Sequence, residues 1–292
     1  MAFENAFVEW VRLQQRTNER VVLPAGDDLA ILRFGGDELV LPGIDQVLDG
    51  VHFDLAACGP EAAGRKAMNR NLSDCAAMAC LPAAALVSVA LPRGTPADVA
   101  KAIYAGTRDA GRAFDCEIVG GDTGTWPGRL AITVAILGRS GGVTPVRRSG
   151  ARPGDRLYVT GPLGGSIFGR HLTFTPRVRE ARALVANHPI TAMMDLSDGL
   201  AADLPRLCAA SGVGAILDVA AIPIHPDVSR HADGRSPLHH AIGDGEDYEL
   251  LFTSPAEVAG AICIGTIVEG CDLLLEEDGG RTPLPGGGYE HH

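Results

Sequence analysis

Only two lysines, Lys66 and Lys101, occur in a chain of 292 residues whose formal net charge is −11. A nucleic-acid binder needs a basic face against the phosphates, and no stretch supplies a strong one. There is no C-x-x-C pair, and the seven cysteines (Cys58, Cys75, Cys80, Cys116, Cys208, Cys263 and Cys271) are odd in number. That pattern argues against a disulfide framework or a zinc site and for mostly buried thiols in a reducing compartment. No apolar run is long enough to span a bilayer. The longest, Leu81 to Leu91, is interrupted by Pro82 and Ser88 and reads as a buried strand. The N-terminal segment carries Glu4 and Glu9 and lacks the apolar core of a signal peptide, so a cytoplasmic location is expected. The usual phosphate cradles are missing too: there is no G-x-x-x-x-G-K-S/T, and no G-x-G-x-x-G follows a strand. No Ser-His-Asp or Cys-His arrangement is evident.

What is present is a globular composition, 46% hydrophobic and 21% charged, in a chain long enough for one large domain or two medium ones. Residues 139–154, with Gly141-Gly142, Pro145, Arg147-Arg148 and Pro153-Gly154, change character and mark a boundary. The expected domains are 1–143 and 144–292. Strands alternate with helices in both, which gives an α/β or α+β class. Residues 3–16 read as an amphipathic helix packed on the body through Phe3, Phe7, Trp10 and Val11. Pro60 starts a second helix rich in small residues, which ends near Pro82. Thr95 is the expected N-cap of a third, with Pro96 at its first position. The stretch from Gly286 onward reads as loop.

The chemistry lies in acidic turns: Asp27-Asp28, Asp45, Asp74, Asp122, Asp195 and Asp198, most of them at expected strand ends or helix starts. Leu72-Ser73-Asp74 recurs as Leu196-Ser197-Asp198. Gly, Ser or Thr lies near most of these acids and allows close approach of a ligand. Any one loop is equally well explained as an ordinary turn. Converging carboxylates repel one another unless cations neutralise them, and oxygen-only ligands suit a hard ion such as Mg²⁺.

Seven segments in one order carry a resemblance. They are Gly26-Asp27-Asp28-Leu29-Ala30; Asp45 through Gly50-Val51-His52-Phe53; Asn71-Leu72-Ser73-Asp74 with Ala76-Ala77-Met78; Gly120-Gly121-Asp122-Thr123; Arg148 to Asp155; Asp195 to Leu200; and Gly245-Glu246-Asp247-Tyr248-Glu249-Leu250. Over nearly its whole length the chain resembles the thiamine-monophosphate kinases, in the superfamily of aminoimidazole ribonucleotide synthetase and selenophosphate synthetase. The resemblance implies a two-domain protein whose N-terminal mixed sheet dimerises by sheet packing and whose C-terminal α/β domain completes the active site. It implies direct transfer of the γ-phosphoryl group of ATP to thiamine monophosphate, with several Mg²⁺ ions and no covalent catalytic residue.

Carried over by motif, Asp28, Asp45, Asp74, Asp122 and Asp195 match metal ligands, and Asp198 a further one. Gly121, Asp122, Arg148 and Ser197 match ATP contacts, joined by Tyr104 through its spacing from Asp74. His52, Glu246 and Tyr289 match substrate contacts. Read as residues alone, His52 is more often structural, Tyr104 fits helix packing equally well, Arg147 competes with Arg148, and Asp244 and Asp247 compete with Glu246. The chain departs from the family at Gly43 and Ile44, where Ser or Thr is usual. There only backbone carbonyls remain to reach a metal, and hydroxyl ligation is lost. Asp244 replaces a Gly, and the segment after Thr160-Gly161 is short, so a helical excursion there is expected to be missing. His291 and His292 read equally as native residues or a tag remnant.

Overall fold

A computed structural model describes residues 3–230 and 233–287; Tyr289 and the two terminal histidines lie outside the described residues. The first half is a six-stranded sheet of β1 (Val21–Leu23), β2 (Ile31–Arg33), β3 (Leu39–Leu48), β4 (Leu81–Pro92), β5 (Glu117–Trp126) and β6 (Ala131–Arg139), in the order β1-β2-β3-β6-β4-β5. Only β4 and β5 run parallel, joined through a helix, and the other pairs are antiparallel. The helices of this half are α1 (Phe3–Gln14), α2 (Leu55–Cys58), α3 (Pro60–Ala77) and α4 (Ala97–Arg112).

The second half is a seven-stranded sheet of β7 (Arg156–Val159), β8 (Ala192–Asp195), β9 (Gly214–Asp218), β10 (Leu250–Ser254), β11 (Ile262–Val268), β12 (Leu273–Glu277) and β13 (Gly280–Pro283). Their order is β13-β12-β9-β11-β7-β10-β8, and only β9 and β12 are parallel. Its helices are α5 (Val178–Asn187), α6 (Leu200–Ser211) and α7 (Pro237–Gly243). Both sheets are thus mixed and helix-covered, in the α+β / α/β class.

The small residues of α3 explain where it sits. A Cβ on Gly64 would stand 2.1 Å from the Ile103 carbonyl, and one on Gly106 would stand 2.0 Å from the Glu61 carbonyl. The backbones of α3 and α4 therefore meet where neither helix has a side chain. Twelve of the eighteen residues of α3 are buried, Lys66, Asn69, Asn71 and Ser73 among them. Met68 and Leu72 enter the core of the first half, whereas Ala76 and Ala79 pack with Tyr158, Met193 and Phe252 of the second. One helix is shared by both halves, and truncating Met68 or Leu72 to Ala would cost about 2–5 kcal/mol.

Several elements differ from expectation. The apolar face of α1 is turned outward: Phe7 and Trp10 stack on each other at 6.1 Å and are 52% and 57% exposed. Periodicity marks such a face but does not say what covers it. Thr95 turns its hydroxyl back to the Pro92 carbonyl (2.7 Å), and Pro96 takes the N-cap position. Asp45 and Asp122 lie inside long strands rather than at their ends, because β3 and β5 continue past the glycines that resemble stops. The hairpin β12–β13 and the short helix α7 carry weak periodicity and were not expected from it. After Gly161 two short 3₁₀ turns, Ser166–Phe168 and Arg170–Leu172, stand in the segment expected to lack a helix.

Candidate active site

Three carboxylates from three elements converge. Asp28 comes from the β1–β2 loop, Asp74 from the last turn of α3 and Asp195 from the end of β8, and they offer oxygens all within 4.8 Å of one another. Burial pushes Asp74 and Asp195 well above the ordinary carboxylate range, and their acidic neighbours push further, Asp45, Asp195 and Asp28 on Asp74 and Asp28 on Asp195. Ser73 answers part of this by donating to Asp195 Oδ2 at 2.5 Å. Arg148 grips Asp28 through Nε (3.2 Å) and Nη2 (2.7 Å), while its backbone N–H donates to Asp27. Asp27, buried beside Asp28, is raised to about 7, burial being the larger cause. Arg147, the competing cation, makes no such contact with the cluster; its carbonyl joins the backbone of Met193.

Asp45 stands next to this group on β3 and accepts Arg70 Nε at 3.0 Å. Gly43, two residues earlier, lies beneath Leu29: a Cβ there would come 2.2 Å from Leu29 Cδ2. A Ser or Thr at this position would displace that buried leucine. Ile44 alternates to the opposite face and is 67% exposed, so its side chain takes no part in the cluster.

Asp122 and Asp198 lie outside the triad. Asp122 is exposed on β5 and, with Tyr104 and Gly121, lines a groove of about 460 Å³ between α4 and the β4–β5 edge. Three of the expected nucleotide contacts are thereby brought together. Tyr104 is half exposed beside Arg108 rather than packed in a core. Asp198 bonds Arg206 at 2.6 Å, and its N–H is capped by Asp203. The Ser197 carbonyl accepts the N–H of Glu246 at 2.7 Å.

The loop 244–249 sorts three competing acids into two roles. Asp244 accepts from Gly165 N–H and pairs with His240 and Arg235. Asp247 accepts Gly164 N–H with both oxygens at 3.0 Å and also binds Arg170. These two therefore hold the glycine turn. A Cβ on Gly164 would stand 2.7 Å from the Ala241 nitrogen, so only glycine lets that turn approach α7. Glu246 instead reaches Lys66 Nζ (2.5 Å) and His171 Nδ1 (2.8 Å). Burial works against the Glu246 charge, but His171 and Lys66 outweigh it and hold the carboxyl down at about 2. Lys66 Nζ also donates to the His52 carbonyl at 2.6 Å. His52 and Glu246, the two described residues expected at the thiamine end, thus share one buried lysine. The His52 ring accepts the Leu48 N–H through Nδ1.

The residues missed from sequence are Lys66, Arg70, Ser73 and Tyr248. Lys66, Arg70 and Asp74 follow one another at intervals of four, so they share a face of α3. Three charged residues on one stripe of a helix otherwise rich in small residues was the available signal.

Both halves that bring carboxylates to the shared helix match the class of AIR synthase related proteins. The N-terminal domain model of that class matches residues 26–140 and the C-terminal domain model residues 166–263. The chain is 40% identical to thiamine-monophosphate kinase of Rhodopirellula baltica over 268 residues, covering 89% of this chain and 84% of that one. It is 34% identical to thiamine-monophosphate kinase of Escherichia coli K12, covering 93% and 92%. A solved structure, AaThiL complexed with AMPPCP and TMP, superposes with a TM-score of 0.86 at 28% identity, covering 100% of this chain and 97% of that one. The chain belongs to the thiamine-monophosphate kinase family.

Proposed function

We propose that this chain transfers the γ-phosphoryl group of ATP to thiamine monophosphate. The observation that carries the reading is the convergence of Asp28, Asp74 and Asp195 within 4.8 Å, drawn from both halves of the chain. It is joined by family membership and by the solved relative that holds AMPPCP and TMP. An oxygen of the acceptor monophosphate forms a bond to the γ-phosphorus, the bond to the β,γ-bridging oxygen breaks, and ADP leaves with that electron pair. The product is thiamine diphosphate. A phosphate monoester is already largely ionised near neutral pH, so the chain needs no strong general base, and positioning with charge neutralisation does the work.

The donor set fits Mg²⁺: it is all oxygen, its charges crowd together, and burial leaves them short of counter-charge. Asp28, Asp74 and Asp195 would hold the ion, with Asp45 beside them and Asp122 and Asp198 as ligands of further ions. Bound there, Mg²⁺ would neutralise the facing phosphates. Arg148 orients Asp28, and Ser73 orients Asp195. Tyr104, Gly121 and Asp122 present the groove for the nucleotide, with Arg148 and Ser197 completing it. His52, Glu246 and Tyr289 serve the thiamine end, and the backbone at Gly43 and Ile44 remains available to a metal.

A homodimer is part of this reading. Ile44, Leu86 and Leu137 share the outward face of the first sheet by register and are 67%, 45% and 38% exposed, an apolar patch suited to a second copy. The cytoplasm is the expected compartment; among the described residues no helix is long and apolar enough to cross a membrane. The functional domains are taken as 1–143 and 144–292. The test is direct: the purified chain with ATP, Mg²⁺ and thiamine monophosphate yields ADP and thiamine diphosphate in equal amounts by chromatography. Binding of ATP with no acceptor phosphorylated would favour a silent nucleotide-binding homologue.

A further inference from the structure

Along one face of α3 run Lys66, Arg70 and Asp74, and the three are used differently. Lys66 is fully buried and its ammonium makes three contacts, with the His52 carbonyl, His171 and Glu246. Lys66 thus spends its charge within this buried cluster. Asp74 belongs to the carboxylate triad. Arg70 lies between them. It makes one hydrogen bond among the described residues, Nε to Asp45 Oδ2 at 3.0 Å, and its side chain remains 14% exposed. A guanidinium carries five N–H donors, and the terminal nitrogens of Arg70 hold four of them uncommitted.

The surroundings of Arg70 lie on the side of the triad that the proposed function gives to thiamine. One turn back, Lys66 ties Glu246 and the His52 carbonyl. The adjacent Asn69 donates to the Phe174 carbonyl at 2.7 Å, and the Phe174 ring stacks on Tyr248 with centroids 4.0 Å apart. Tyr248 is buried, its hydroxyl has no hydrogen-bond partner among the described residues, and its backbone is left-handed at φ 52°. Burial raises the Tyr248 phenol, and Arg70 is the leading influence against that rise, which agrees with a guanidinium lying close by. Arg148, the other arginine at the cluster, spends its fork on Asp28. Two anions must meet here beside crowded carboxylates, in a chain with a single lysine near the site and that one committed to Glu246 and the His52 carbonyl.

We propose that Arg70 is a substrate-contacting residue whose terminal nitrogens bind the phosphate of the acceptor monophosphate, with Asp45 fixing the guanidinium through Nε. A planar fork suits two phosphate oxygens, and a lysine does not reproduce it. The inference rests on the kinase reading above and names one of its binding contacts.

The test uses the full chain and the variants Arg70→Gln and Arg70→Lys. The charge-assisted contact predicts a rise in the KM for thiamine monophosphate of about 10–100-fold in Arg70→Gln, with the KM for ATP within about twofold of wild type. Arg70→Lys keeps a cation beside Asp45, so it regains part of that loss and serves as the check on folding, together with thermal unfolding of both variants. Unchanged KM values, or a rise confined to ATP, overturn the proposal. Direct titration of thiamine monophosphate into the chain loaded with Mg²⁺ and a non-hydrolysable ATP analogue separates the two readings. Binding that is weakened by Arg70→Gln supports the contact even if wild type shows no turnover, in which case the kinase reading alone fails. Binding equal in wild type and Arg70→Gln, or none in wild type, overturns the contact.

Discussion

The tripeptide Leu-Ser-Asp occurs once in each half, and the two copies meet different fates. In both, the leucine is an anchor: Leu72 and Leu196 are fully buried. The first copy lies inside α3, so Ser73 is turned across the boundary to Asp195 and Asp74 enters the triad. The second copy lies in the loop before α6. There Asp198 pairs with Arg206 (2.6 Å), and Gly199, at φ 99°, turns the chain into the helix. One sequence thus supplies a crowded, under-neutralised carboxylate in a helix and a paired, half-buried one in a loop. The difference comes from what faces each copy, and three measurements probe it.

The largest effect is expected at the acids themselves. Asp74→Asn should lower turnover by about 10³-fold, because it removes a ligand at the centre of the charge cluster. The same change relieves like-charge repulsion, so thermal unfolding without metal should be unchanged or shifted slightly upward. Asp198→Asn should cost only about tenfold. Steady-state rates with both variants measure the contrast, and equal losses would erase it.

The serines should differ next. Ser73→Ala strips a buried donor from the Asp195 carboxylate and should cost about 2 kcal/mol, read as a drop in denaturant midpoint. Ser197→Ala should leave that midpoint in place, since the contact of Ser197 with Glu246 is through its backbone carbonyl.

The smallest effect is a pH slope. Asp203, buried and then pressed by Asp198, is raised from 3.8 to about 7. Its protonated form is favoured in the folded chain, so the associated stability is complete below the ordinary 3.8 and is lost as pH rises through about 7. Between pH 8 and pH 6 the metal-free protein should gain about 1 kcal/mol from this group. Asp203→Asn should flatten the slope by that amount in unfolding curves taken at both pH values.

Much of the framework was legible because it depends on local signals. Gly26-Asp27-Asp28, the α3 segment and the strand into Asp195 carry turn residues, a proline start and apolar runs that report their own structure. Five acids were read as a set, yet only three close within 4.8 Å of one another, since closure depends on how two sheets meet across a shared helix. The outward turn of α1 escaped for the same reason: an apolar stripe reads alike whether the chain or another surface covers it. Glu246 was singled out by motif, but its partner is 180 positions away, and no local pattern links residues 66 and 246.

That long-range tie has a mechanical meaning. Parting α3 from the 244–249 loop would pull the Lys66 ammonium from Glu246 and His171, a rupture costing about 3–5 kcal/mol where water stays excluded. The tie therefore opposes any motion that separates the helical spine from the second lobe.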